Sequence, residues 1–99
     1  MKINKRNLKS SFHRQADESL TVFDFFSDPL AKFSVVLGKL DGKHGKKMNE
    51  VSGRAYLVLK GSGTIHVGEE QTNVEEMDIV YIPENTPHGI EGEMNLLII

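Results

Sequence analysis

Four histidines, His13, His44, His66 and His88, carry most of the acid–base and ligand chemistry open to this chain, which has no cysteine. Imidazole can act as acid, base, metal ligand or plain hydrogen-bonding group. His88 follows the loop Pro83-Glu84-Asn85-Thr86-Pro87. His44 stands in a Gly- and Lys-rich stretch and is expected to be solvated. His66 lies on an apolar segment whose parity does not decide whether it points inward or outward. His13 falls near an N-terminal arm. Tyr56 and Tyr81 offer a phenol or a stacking surface, although strands favour tyrosine in any case. No serine sits in a nucleophile elbow. Gly61-Ser62-Gly63 reads as a hairpin turn, because no helix follows it to build a phosphate cradle.

The elements that must position these groups are short β segments punctuated by Gly, Asn, Asp and Pro. Residues 20–26 are β-branched and aromatic, and Asp28-Pro29 ends the run. Residues 32–40 resume it, and 41–45 read as a turn. Residues 54–60, 64–67 and 79–82 follow as strands, with 83–87 as a loop and 96–99 as a last strand. A sustained 3.6-residue period is missing, so little helix is expected, at most a turn over 16–19. Many short strands at this spacing predict an all-β sandwich or barrel. Closure protects edges that a small free sheet would leave open.

The chain has 99 residues and a formal net charge of −2. That length fits one domain, taken as 1–99, with 1–12 as a mobile arm. The charge argues against a nucleic-acid surface. Lys2, Lys5, Arg6 and Lys9 form the one basic cluster, read as part of the solvated arm. No apolar run approaches the roughly 20 residues that span a bilayer. With no cysteine and no secretory leader, a cytoplasmic location is expected.

Residues 42–61 and 77–92 resemble the two motifs of the cupin family. In the first, Gly42 and Gly61 stand at the bounding glycines, and the phrase Tyr56-Leu57-Val58-Leu59-Lys60-Gly61 matches the family closely. The family's two histidines and its glutamate fall on Met48, Glu50 and Arg54. In the second, Asp78-Ile79-Val80-Tyr81-Ile82-Pro83 leads to Asn85 at a glycine position, then to His88 at the family's third histidine. Met77 and Gly92 occupy the outer positions. Asn85 suits a glycine site because it tolerates positive φ. Met48 and Met77 are expected to fill space.

The resemblance implies a jelly-roll β-barrel, or double-stranded β-helix, with Met48, Glu50, Arg54, Tyr56 and His88 as lumen candidates. It also implies a metal site that has lost most of its ligands. A guanidinium cannot coordinate, and a thioether suits hard divalent ions badly. No cofactor is therefore expected; a divalent metal, held by Glu50 and His88, is the disfavoured alternative, and one using His44 is weaker still. Replacing Arg54 by Glu and Met48 by His is expected to raise metal affinity. Arg54 has two readings, an internal ion pair with Glu50 or an anchor for an anionic ligand. The resulting functional reading is a barrel that binds a small, anionic or sugar-like molecule without metal. Its alternatives are a metal-dependent isomerase or dioxygenase and a non-catalytic dimerisation module. A homodimer is expected, because the apolar 96–99 strand must pair within the sheet or be covered by a second chain.

Overall fold

A computed structural model of the chain describes residues 7, 12–16, 18–27, 34–48 and 53–99. Every regular element among them is a β-strand. These are β1 (Phe12–Gln15), β2 (Leu20–Ser27), β3 (Ser34–Met48), β4 (Arg54–Val67), β5 (Glu70–Val74), β6 (Ile79–Ile82) and β7 (Pro87–Ile98). They pair antiparallel in the order β1-β2-β3-β7-β4-β5, and β6 adds to β4. The expected all-β jelly roll is what the chain forms. The arm at 1–12 lies almost wholly outside the described residues, and Phe12 already opens β1.

Strand β7 is the centre of the fold. It pairs with β3 from Val36↔Ile98 to Met48↔Pro87, and with β4 from Tyr56↔Ile98 to Val67↔His88. The apolar C-terminal segment is thus flanked on both sides. Leu96 is fully buried and Ile98 nearly so. The expectation of a short last strand at 96–99 is corrected: it is the end of a twelve-residue strand. Its own pairing satisfies it, so it gives no reason to invoke a second chain.

Two glycine-rich stretches read as turns prove to lie inside long strands. Residues 41–45 continue β3, and Gly61-Ser62-Gly63 continues β4. Their glycines serve a bend. Gly42, Gly92 and Gly63 align in register across β3, β7 and β4. Gly92 has φ 131°, and a Cβ there would sit 2.6 Å from both Gly63 Cα and Ser62 O. A Cβ on Gly63 would collide with the Glu91 carbonyl. Only bare backbone permits this approach. Register irregularities at His44/Lys47 and Val58/Lys60 add to the curvature.

The bend turns one continuous ladder into two facing halves. Tyr56 pairs with Ile98, ten positions beyond His88 on β7. Ten extended residues span roughly 33 Å. Yet the Tyr56 and His88 rings lie 6.0 Å apart, centroid to centroid, because the strand has folded back. Between the halves lies the core: Val58, Ile65, Ile82, Ile90 and Leu96 are essentially inaccessible. Burying each such side chain stabilises the fold by about 1.5–3 kcal/mol. Side-chain parity follows from period 2. On β7, positions 88, 90, 94, 96 and 98 face inward, and on β4 so do 56, 58 and 65.

Candidate functional site

Tyr56, Arg54 and His88 reach the interior from opposite halves of the folded ladder. Tyr56 belongs to the part of β4 that pairs with β6, opposite Val80. It is 5% exposed. Arg54 lies two residues earlier, on the same strand face, opposite the fully buried Ile82. His88 begins the other half on β7, opposite Val67, and is 6% exposed. Its ring meets Tyr56 edge-on, with planes at 66°.

A cleft of about 450 Å³ is lined by Ile65, Val67, Glu70, Gln71, Thr72, Val80 and Tyr81, with Arg54, Tyr56 and His88 outside its lining. Two of its walls, Val67 and Val80, are the cross-strand partners of His88 and Tyr56. Its size falls in the range of small-molecule sites.

The polar bookkeeping of the cluster is informative. His88 Nδ1 lies 3.0 Å from the Thr86 carbonyl oxygen. Nε2 of the same ring, the Tyr56 hydroxyl and the Arg54 guanidinium have no hydrogen-bond or ion-pair partner among the described residues. No buried side-chain nitrogen or oxygen there is both unpaired and sealed from space. Burial pushes the Tyr56 phenol above its ordinary pKa, and the nearby Arg54 charge opposes that only in part.

Of the other sequence candidates, Met48 closes β3 opposite Pro87, with its side chain outside the described residues. Glu50 lies outside them altogether, and so does the expected Arg54–Glu50 pair. His44 was expected in solvent, and that is corrected. It continues the alternation of Leu40 on β3, pairs with Ile90, and is only 9% exposed. Its Gly and Lys neighbours made a bent strand look like a turn. His66 faces outward and bonds Glu91 through Nε2 and Oε1 at 2.9 Å, which holds the Glu91 carboxyl below its usual range. Met77, expected to fill space, is 70% exposed at φ 70°. Asn85 takes φ 54°, as its glycine position requires.

Two of the four positions that the resemblance assigns to the cupin family's metal have described side chains. Of these, His88 brings an imidazole and Arg54 a guanidinium that repels cations. Among the described residues no three His, Cys, Asp or Glu side chains converge on one point.

Comparison with known proteins agrees with this architecture. Residues 38–98 match the family described as the Cupin domain, over half the chain, and the chain belongs to that family. The solved structure of a Streptomyces PAC13 variant with uridine is 21% identical, with a TM-score of 0.87 over 99% of this chain and 80% of that one. KdgF from Halomonas sp. is 15% identical, TM-score 0.85, covering 98% and 91%. A predicted oxalate decarboxylase from Thermotoga maritima is 16% identical, TM-score 0.81, covering 97% and 98%. At these identities the likeness is one of fold. No curated protein matches by sequence. No helix among the described residues is long and apolar enough to cross a membrane.

Proposed function

We propose that this cupin domain binds a small, oxygen-rich molecule, anionic or sugar-like, between the two halves of its barrel and without the family's metal. The observation that carries the reading is the meeting of Arg54, Tyr56 and His88 between the two halves, with the guanidinium, the phenol and His88 Nε2 unpaired among the described residues. Buried polar groups find partners, and groups left without one in the protein are left for a ligand. Arg54 supplies a planar fork of donors for a carboxylate or phosphate. Tyr56 supplies a donor for a hydroxyl or carbonyl, and His88 an acceptor. The neighbour PAC13, solved with uridine, holds a polyhydroxylated small molecule on a similar fold.

The test is ligand-observed NMR on chelator-treated protein with uridine, a uridine monophosphate, a uronic acid and a neutral hexose. Anionic members are expected to bind, and Arg54→Gln is expected to weaken them at least tenfold more than the neutral ones. Binding by no member, or equal binding by Arg54→Gln, refutes the reading.

The homodimer and the cytoplasmic location belong to the same proposal. The support for a dimer is now the outer face, where Ile79 and Tyr81 on β6 are 63% and 67% exposed. Ile79 continues a row in register through Leu57, Leu97, Leu37 and Phe23. A monomer mass by light scattering at micromolar concentration refutes it.

A further inference from the structure

His88 is oriented for more than binding. A carbonyl oxygen only accepts, so the 3.0 Å contact to Thr86 O puts the proton on Nδ1. The neutral ring then carries its lone pair on Nε2, which has no partner among the described residues. Tyr56 presents the opposite function from the facing half of the barrel. Its hydroxyl has no acceptor among the described residues, and burial keeps it protonated at neutral pH. Both residues are more than nine-tenths buried, and their rings are in edge contact. An oriented ring nitrogen, a buried phenol and a guanidinium brought together from two halves of one ladder are the parts of a proton-transfer site.

We infer that His88 Nε2 removes a proton from the carbon next to the carbonyl of a bound oxo acid, while the Tyr56 hydroxyl hydrogen-bonds the carbonyl oxygen. The inference rests on the ligand reading above and narrows its substrate class to oxygen-rich acids that carry a ketone or aldehyde. The step balances without a further reactant. The C–H bond breaks and its proton goes to Nε2. Its electron pair becomes the carbon–carbon π bond of an enolate, and the carbonyl π pair moves to oxygen. That oxygen is held by the Tyr56 O–H, which keeps its proton, and by the charge of Arg54. Nδ1–H stays on Thr86 O throughout, which holds the ring in place as it becomes imidazolium. Return of the proton from Nε2 to carbon completes the cycle, and in heavy water the carbon acquires deuterium instead.

The experiment incubates the chelator-treated, full-length chain in heavy water with pyruvate, 2-oxobutyrate, a 2-oxo sugar acid and glucuronate. Proton NMR follows the signal adjacent to each carbonyl, and saturation transfer on the same samples reads binding. At least one member is expected to bind and to exchange faster than in buffer. His88→Gln, whose amide can still donate to Thr86 O, is expected to lose exchange roughly 100-fold at saturating substrate, the usual scale for removing a general base and far more than any loss of binding. Tyr56→Phe, which gives up no protein hydrogen bond, is the second variant and is expected to slow exchange independently. Binding without exchange, or exchange unchanged in both variants, overturns the inference and leaves the ligand reading standing. Binding by no member overturns both.

Discussion

Met77 offers a direct measurement of backbone strain in this fold. It is the third residue of a turn closed by Asp78 N–H donating to Glu75 O at 3.0 Å, and it sits at φ 70°. A side chain with a Cβ pays about 1–2 kcal/mol in that region, and glycine pays nothing. Glycine in turn makes the unfolded chain freer, at a cost of roughly 0.5–1 kcal/mol. The thioether is 70% exposed, so its removal forfeits little packing. Met77→Gly should therefore stabilise the protein by about 0.5–1 kcal/mol, a rise in Tm of roughly 3–6 °C for a domain this size. Thermal melts and urea titrations read it, with an unchanged m-value marking a true stability change. Met77→Ala keeps the Cβ and should show no gain. Equal shifts from Gly and Ala, or a fall in Tm with Gly, would refute the strain argument. A fall that grows on dilution would place Met77 in a contact between chains.

Gly92→Ala should cost upwards of about 3 kcal/mol in a urea titration, since its Cβ would meet backbone on β4 at φ 131°, whereas Gly45→Ala, with open space around it, should stay within about 0.5 kcal/mol. Tyr56→Phe should leave Tm at pH 7 within a few degrees, because its hydroxyl has no hydrogen-bond partner among the described residues, while weakening ligand binding in ligand-observed NMR. The raised Tyr56 pKa gives a sign to test: its share of stability is complete below the unfolded value of about 10 and is lost as pH rises through the folded value, so the natural protein should lose more stability than Tyr56→Phe in alkaline melts. Glu91 runs the other way, with its share present above the unfolded carboxylate value and lost as pH falls through the depressed folded one; a carboxyl NMR titration of His66→Phe should find Glu91 back near its ordinary range.

The features legible in the sequence were those decided locally. Asn85 at a glycine position announced its positive φ, and the runs around Val22, Val58 and Ile82 announced strands. What escaped was decided by distant backbone. Gly42, Gly61 and Gly63 carry the same composition in a hairpin tip as in a strand that must admit a neighbouring carbonyl. Only the pairing with β7 distinguishes them. The error spread to His44: once 41–45 was read as a turn, its i+4 relation to the buried Leu40 went unused, though that parity pointed inward. The same blindness hid β5, whose Glu-Gln-Thr-Asn-Val carries one buried residue, Val74, and no apolar alternation. The lumen cluster was half legible. His88, Tyr56 and Arg54 came from motif position, but their meeting exists only once two halves of one ladder face each other.

The ligand replacement that the motif resemblance implies and the orientation of His88 belong to one physical argument. A histidine Nε2 has a single lone pair. It coordinates a metal or it takes a proton, and a site cannot ask both of it at once. With a cation in place, the imidazole is spent on coordination and the acid–base work falls to metal-bound water. A guanidinium at position 54 changes that balance. It repels a divalent cation in a poorly screened cavity, and it supplies fixed positive charge of its own beside Tyr56. In the proposed site the role of charge stabiliser passes from an exchangeable ion to a side chain that never deprotonates, which would leave the lone pair of His88 for chemistry. The bend at Gly42, Gly92 and Gly63 makes the exchange effective, because it brings His88 of one half against Tyr56 of the other. On this reasoning Arg54 and His88 are coupled. Arg54→Glu would weaken ligand binding and also return His88 to competition for metal, so added zinc should inhibit that variant's deuterium exchange while leaving the natural protein's unaffected.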